Sequence, residues 1–166
     1  MSDAALDILK EAILLERRGR AFYQKVAGQT QNEAVREFFE TMVAEENQHM
    51  EILAAQLKAY RANHTFAPLD AADTQGQPLS ALVLSDEVKQ QLAMADFEAA
   101  AISAAMLMEE RAVKLYGARA AATDDAQEKA LYQWLSSWEE GHLSFLADLD
   151  KDLKAAIWED NQFWPF

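Results

Sequence analysis

Residues 14–23 read LLERRGRAFY, and residues 107–116 read LMEERAVKLY. Leu14 and Leu107, Glu16 and Glu109, Arg18 and Arg111, and Tyr23 and Tyr116 recur in register, as do Ala12 and Ala105 just upstream, at an offset of 93 residues (109 − 16). Two further segments keep the same offset. EENQH at 45–49 answers WEEGH at 138–142, so that Glu46 matches Glu139 and His49 matches His142 without a gap. The chain is therefore an internal duplication whose polar residues have been kept in register.

Around these segments the apolar residues recur at helical spacing. A first helix is expected from about Ala4 to Ala27, with Gly28 as its stop, and a second from Ala34 to about Ala62 after the polar GQTQNE turn. The stretch 63–85 (NHTFAPLDAADTQGQPLSALVLS) has two prolines, a glycine and no sustained period, which marks a crossover connection. Ser85 or Asp86 can cap the next segment, 86–122, read as a short helix followed by a longer one from about Asp96. ATDDAQE makes a tight turn before a last helix over about 126–156, and the tail 157–166 is aromatic. Short turns make each pair of helices antiparallel. Two helical hairpins, 3–62 and 86–156, joined by one long crossover give an all-α four-helix bundle of the ferritin-like connectivity.

With 166 residues, one domain spanning the whole chain is expected. A formal charge of −13 argues against nucleic acid and anionic membrane surfaces as partners, since both call for basic patches. The chain has no cysteine, which removes disulfides, thiolate catalysis and cysteine-held iron–sulfur or zinc sites, and leaves oxygen and nitrogen as ligands. The first residues, MSDAALDILKEA, lack a basic segment before an apolar run, and the longest apolar stretch, Ala99–Met108, falls short of the roughly 20 residues of a span. A cytoplasmic protein is expected.

Residues three apart on a helix share a face, so Glu46 with His49, and Glu139 with His142, each present a carboxylate and an imidazole together. In an antiparallel hairpin, residues equidistant from the turn lie at one height. Glu16 with Glu46 and Glu109 with Glu139 meet this condition, about 15 residues or roughly 22 Å from their turns. Packing the hairpins about a pseudo-twofold axis gathers Glu16, Glu46, His49, Glu109, Glu139 and His142. A Glu from each of two helices and a Glu-x-x-His from each of the others is the ligand set of di-metal carboxylate bundles. Two divalent ions would balance four buried carboxylates, and the donors suit iron or manganese, with zinc also able to bind.

Tyr23 and Tyr116 follow their glutamates by two turns; they can hydrogen-bond the ligand carboxylates, lie on an electron path, or be core tyrosines. Glu45, Glu110 and Glu140 read as solvated or supporting groups, with Glu110 the alternative to Glu109 if the register slips by one. His64 reads as a loop residue and the methionines as core filler. Trp134, Trp138, Trp158 and Trp164 are assigned to the bundle or to a subunit interface, without a choice between them.

Over residues 6–156, through LLERRGRAFY, EENQH, LMEERAVKLY and WEEGH, the chain resembles the rubrerythrin-like branch of the ferritin-like superfamily. The resemblance implies a carboxylate-bridged di-iron centre with Glu16, Glu46, Glu109 and Glu139 as carboxylate ligands and His49 and His142 as terminal ones. It implies an oxidoreductase acting on hydrogen peroxide or oxygen. Two departures stand out. The cysteines of a rubredoxin domain are missing, so an external electron donor is expected; and where rubrerythrins carry an extra Glu one turn after the third-helix ligand, this chain has Ala112. The competing expectations are iron oxidation, storage or trafficking, a helical scaffold with a structural or sensory metal, and manganese catalase activity. A homodimer or higher homo-oligomer is expected.

Overall fold

The structure is a computed structural model and describes residues 3–70, 85 and 96–159. Among these, four helices and no strand occur: α1 (Ala4–Gln29), α2 (Glu33–Asn63), α3 (Asp96–Ala122) and α4 (Ala126–Glu159). α1 packs along α2, α3 along α4, and the two hairpins meet through α1 and α3. The all-α four-helix bundle is as expected from the periodicity.

The helix ends show how far the duplication reaches. Asp3 caps α1, its side chain accepting from the Leu6 N–H at 3.4 Å. Asn32 caps α2 by accepting from the Val35 N–H at 3.1 Å, and Asp125 caps α4 by accepting from the Glu128 N–H at 2.8 Å. Just before these two caps, the hydroxyls of Thr30 and Thr123 accept the N–H of Asn32 and Asp125, each at 3.2 Å. Both threonines are buried and donate to a buried glutamate, Thr30 to Glu98 at 2.7 Å and Thr123 to Glu128. The turns are thus copies as well, one Asx cap satisfying the orphan amides of each second helix.

Two boundaries differ from expectation. Gly28 does not stop α1; the helix continues through it to Gln29, and extended Thr30 (φ −68°, ψ 141°) ends it with its N–H on the Val26 carbonyl. His64, read as a loop residue, is the left-handed C-cap of α2 (φ 53°, ψ 31°), donating its N–H to the Tyr60 carbonyl at 2.8 Å. Most of the expected crossover, the short helix before Asp96 and Met94 lie outside the described residues. So do the side chains of Trp158 and Trp164, although α4 runs to Glu159 and takes in the first residues of the expected tail.

The core forms two clusters. One is built on Tyr23, Phe38, Phe39, Met42, Ile102 and Leu146, the other on Leu9, Leu53, Tyr116, Leu131, Tyr132 and Leu135. They are images of each other under the 93-residue offset: Tyr23 stacks on Phe39 at 6.0 Å and Tyr116 on Tyr132 at 5.9 Å. Each such buried side chain contributes about 1.5–3 kcal/mol of transfer free energy. Met42 is core filler as read; Met50, Met106 and Met108 are half-buried.

Candidate metal centre

At mid-height the bundle carries a polar layer. Glu16 from α1, Glu46 and His49 from α2, Glu109 from α3, and Glu139 and His142 from α4 are each no more than 3 % exposed. All six sequence-selected residues come together, and they do so in two overlapping sets. Glu16, Glu46, His49 and Glu139 form one, Glu46, Glu109, Glu139 and His142 the other, with one donor atom per residue within 4.8 Å of the rest of its set. Glu46 and Glu139 belong to both sets, the position a bridging carboxylate needs, while each imidazole belongs to one.

Both histidines turn Nδ1 toward the carboxylates. His49 Nδ1 lies 2.9 Å from Glu139 Oε1 and 3.2 Å from Glu16 Oε2; His142 Nδ1 lies 3.0 Å from Glu139 Oε2 and 3.7 Å from Glu109 Oε1. Tyr23 donates its hydroxyl to Glu109 Oε1, and Tyr116 to Glu16 Oε1. Each tyrosine therefore crosses to the other hairpin. Each hydroxyl is hydrogen-bonded to a candidate ligand carboxylate and each ring lies in one of the two core clusters, so the hydrogen-bonding and core readings hold together.

Burying four carboxylates together is electrostatically costly, and the ionisation of the cluster records it. Burial raises Glu46 well above the usual carboxylate range, reinforced by the charge of Glu16. Burial, then the charge of Glu139, lifts Glu109 to about 8, against the pull of His142. Burial works against charge on His49, but Glu139 and Glu16 outweigh it and bring the imidazole to about 10. His142 is likewise pushed well up by Glu139, Glu109 and Glu45 against its burial. Glu139 is held well below its usual range, because the two imidazoles overcome its burial. Burial and the facing glutamates raise both tyrosines, keeping them protonated donors. Protons on the imidazoles and carboxyls are thus doing what cations would do. This donor set, hard oxygens with two imidazole nitrogens and a surplus of negative charge, fits two divalent ions.

A narrow cleft between α1 and α3 reaches this layer. Leu15 and Met108 flank it, and the small residues Gly19 and Ala112 open it onto Glu46 and Glu139. A Cβ on Gly19 would stand 3.5 Å from the Glu46 carboxylate carbon, so even one methyl would cover that carboxylate. Gly19 and Ala112 are themselves related by the offset (112 − 19 = 93).

Glu45 is the residue that sequence reasoning undervalued. It is buried, and its Oε2 is hydrogen-bonded to His142 Nε2 while accepting from the Trp138 indole N–H at 3.4 Å. Its solvated reading therefore fails and its supporting one stands; Glu140 is exposed and Glu110 half-buried, so the register favours Glu109. Trp134 and Trp138 belong to the bundle, standing edge-to-face against His49 at 5.5 and 5.7 Å. Among the described residues no helix is long and apolar enough to cross a membrane.

Compared with known proteins, residues 7–150 match the family model described as Rubrerythrin. No curated protein and no solved structure matches the chain.

Proposed function

The chain belongs to the rubrerythrin family, and on that premise we propose that its polar layer holds two iron ions and that the protein reduces hydrogen peroxide or oxygen. Glu46 and Glu139 would bridge, Glu16 and Glu109 would each complete one side, and His49 and His142 would be the terminal nitrogen ligands. The observation that carries the reading is the convergence of four carboxylates and two imidazoles from four helices into two sets that share Glu46 and Glu139. Two iron ions held there would supply two electrons, one from each on passing from the ferrous to the ferric state.

Reducing one hydrogen peroxide takes two electrons and two protons and yields two waters. The electrons come from a donor outside these 166 residues, since the chain has no cysteine with which to hold a rubredoxin-type iron. The cleft past Gly19 and Ala112 supports a small reactant, because all four glutamates of the layer line it and it leaves only about 10 Å³ of room. Tyr23 and Tyr116 keep Glu109 and Glu16 turned inward by donating to one carboxylate oxygen of each. The apolar clusters on both sides exclude bulk water, so these hydrogen bonds act in a medium of low polarity. A homodimer or larger homo-oligomer belongs to the same proposal.

The test is metal analysis of protein purified without oxygen, followed by rapid mixing of the ferrous form with peroxide or with oxygen. Two irons per chain, oxidation by peroxide, and repeated turnover with an added reductant are expected. Tight zinc with no redox turnover would overturn the enzymatic reading, and mineral well beyond two irons per chain would shift it to storage.

A further inference from the structure

The duplication repeats every candidate ligand, both tyrosines and both turns, but beside the site it departs at Gly19/Ala112, at Thr41/Trp134 and at Glu45/Trp138, and the last of these pairs stands behind the histidines. Glu45 and Trp138 are equivalents (138 − 45 = 93) with unlike side chains. In one half, His142 Nε2 is hydrogen-bonded to the Glu45 carboxylate. In the other half the equivalent place holds Trp138, and His49 Nε2 is buried without a hydrogen-bond partner among the described residues. The indoles of Trp134 and Trp138 meet the His49 ring edge-to-face, and the Trp138 N–H is directed away, to Glu45.

We propose that the two metal positions are inequivalent, with Glu45 making the position beside His142 the tighter one and the first to fill. This rests on the di-metal reading above. Both histidines offer Nδ1 to the carboxylates, so a neutral imidazole bound through Nδ1 carries its remaining proton on Nε2. At His142 that N–H has a carboxylate to receive it, which fixes the tautomer, orients the ring and makes Nδ1 a stronger donor. At His49 the same proton faces indole rings, a weak acceptor at best. Because Glu46 and Glu139 are shared by both sets, the difference between the positions falls on this terminal side. Glu45 acts through His142 and is a positioning residue.

Partners of this kind change metal affinity by about 10–100-fold. Titrating the metal-free protein with cobalt(II) without oxygen, against a competing chelator, should therefore resolve two steps of one equivalent each. In Glu45→Gln, which preserves shape and removes the charge, the tighter step should weaken by about 10–100-fold and merge with the second, the second staying in place. At one equivalent of cobalt, proton NMR should show one hyperfine-shifted, slowly exchanging imidazole N–H, and Glu45→Gln should lose it. Trp138→Glu, supplying the missing carboxylate behind His49, should strengthen the weaker step. Two equivalents bound in one indistinguishable step, or a Glu45→Gln effect on both steps alike or on neither, would overturn the inequivalence while leaving the metal centre standing. No cobalt uptake at all would overturn the metal centre and this inference with it.

Discussion

Removing metal should make stability fall as pH rises through neutrality. Glu109 is held at about 8 in the folded protein against an ordinary 4.5, so between these values the folded state keeps a proton that the unfolded chain has released. Stability then declines with pH at about 1.4 kcal/mol per unit, or roughly 3 kcal/mol from pH 5.5 to 8. His49 acts in the same direction higher up: raised from 6.5 to about 10, its contribution is complete below 6.5 and drains away as pH climbs toward 10. Glu139, depressed in the fold, contributes above 4.5 and loses that contribution only on acidification, outside this window. For a domain of this size 3 kcal/mol corresponds to roughly 6–12 °C in Tm. Thermal unfolding of chelator-treated protein, followed by circular dichroism from pH 5.5 to 8, should show at least that loss, and Glu109→Gln should reduce it, leaving the part that His49 contributes above pH 6.5. Adding a divalent metal should reverse the trend, because the metal displaces those protons and binds better as they leave. A metal-free protein as stable at pH 8 as at 5.5 would refute the buried-proton account of the cluster.

Other consequences are sharp enough to check. Glu46→Ala or Glu139→Ala removes a carboxylate common to both sets, and elemental analysis should find less than one metal per chain. Tyr23→Phe and Tyr116→Phe should keep the metals but cost about 1–3 kcal/mol each, read by denaturant unfolding, because a buried carboxylate oxygen loses its donor. Ala112→Leu should leave metal content intact and slow the ferrous protein's reaction with peroxide by tenfold or more in rapid mixing, by closing the cleft. Asn32→Ala and Asp125→Ala should each lower stability by about 1 kcal/mol, or roughly 2–4 °C, with no change in metal content.

The parts of this molecule that were legible in advance are those governed by period and offset. Helical spacing gave the bundle, and repetition at 93 residues picked out Glu16, Glu46, His49, Glu109, Glu139 and His142 once joined to the Glu-x-x-His spacing and the matching height in each hairpin; the offset alone does not mark a buried residue, since Leu14, Leu107, Arg18 and Arg111 repeat on the surface. Glu45 was less legible. One residue along from Glu46 it lies about 100° around the helix, and whether that direction is solvent or protein depends on how α2 sits beside α4. The comparison of position 45 with position 138 held part of the missing signal, since a Glu in one half answers a Trp in the other. The end of α1 was misjudged because glycine permits a stop without enforcing one; Gly28 keeps a helical backbone, and Thr30, tied to Asn32 and Glu98, sets the boundary. At His64 the reverse occurred, a left-handed cap on a residue that is not glycine.

The tyrosines of the polar layer have a consequence for how the protein is put together. Tyr23 belongs to the first hairpin and holds a glutamate of the second, while Tyr116 does the opposite. Neither hairpin can finish its own half of the cage alone, so docking the halves and orienting the carboxylates are a single event. Metal held there as proposed would draw its ligands from both halves at once, whereas without it the seam between the hairpins is held by protons on the imidazoles and carboxyls.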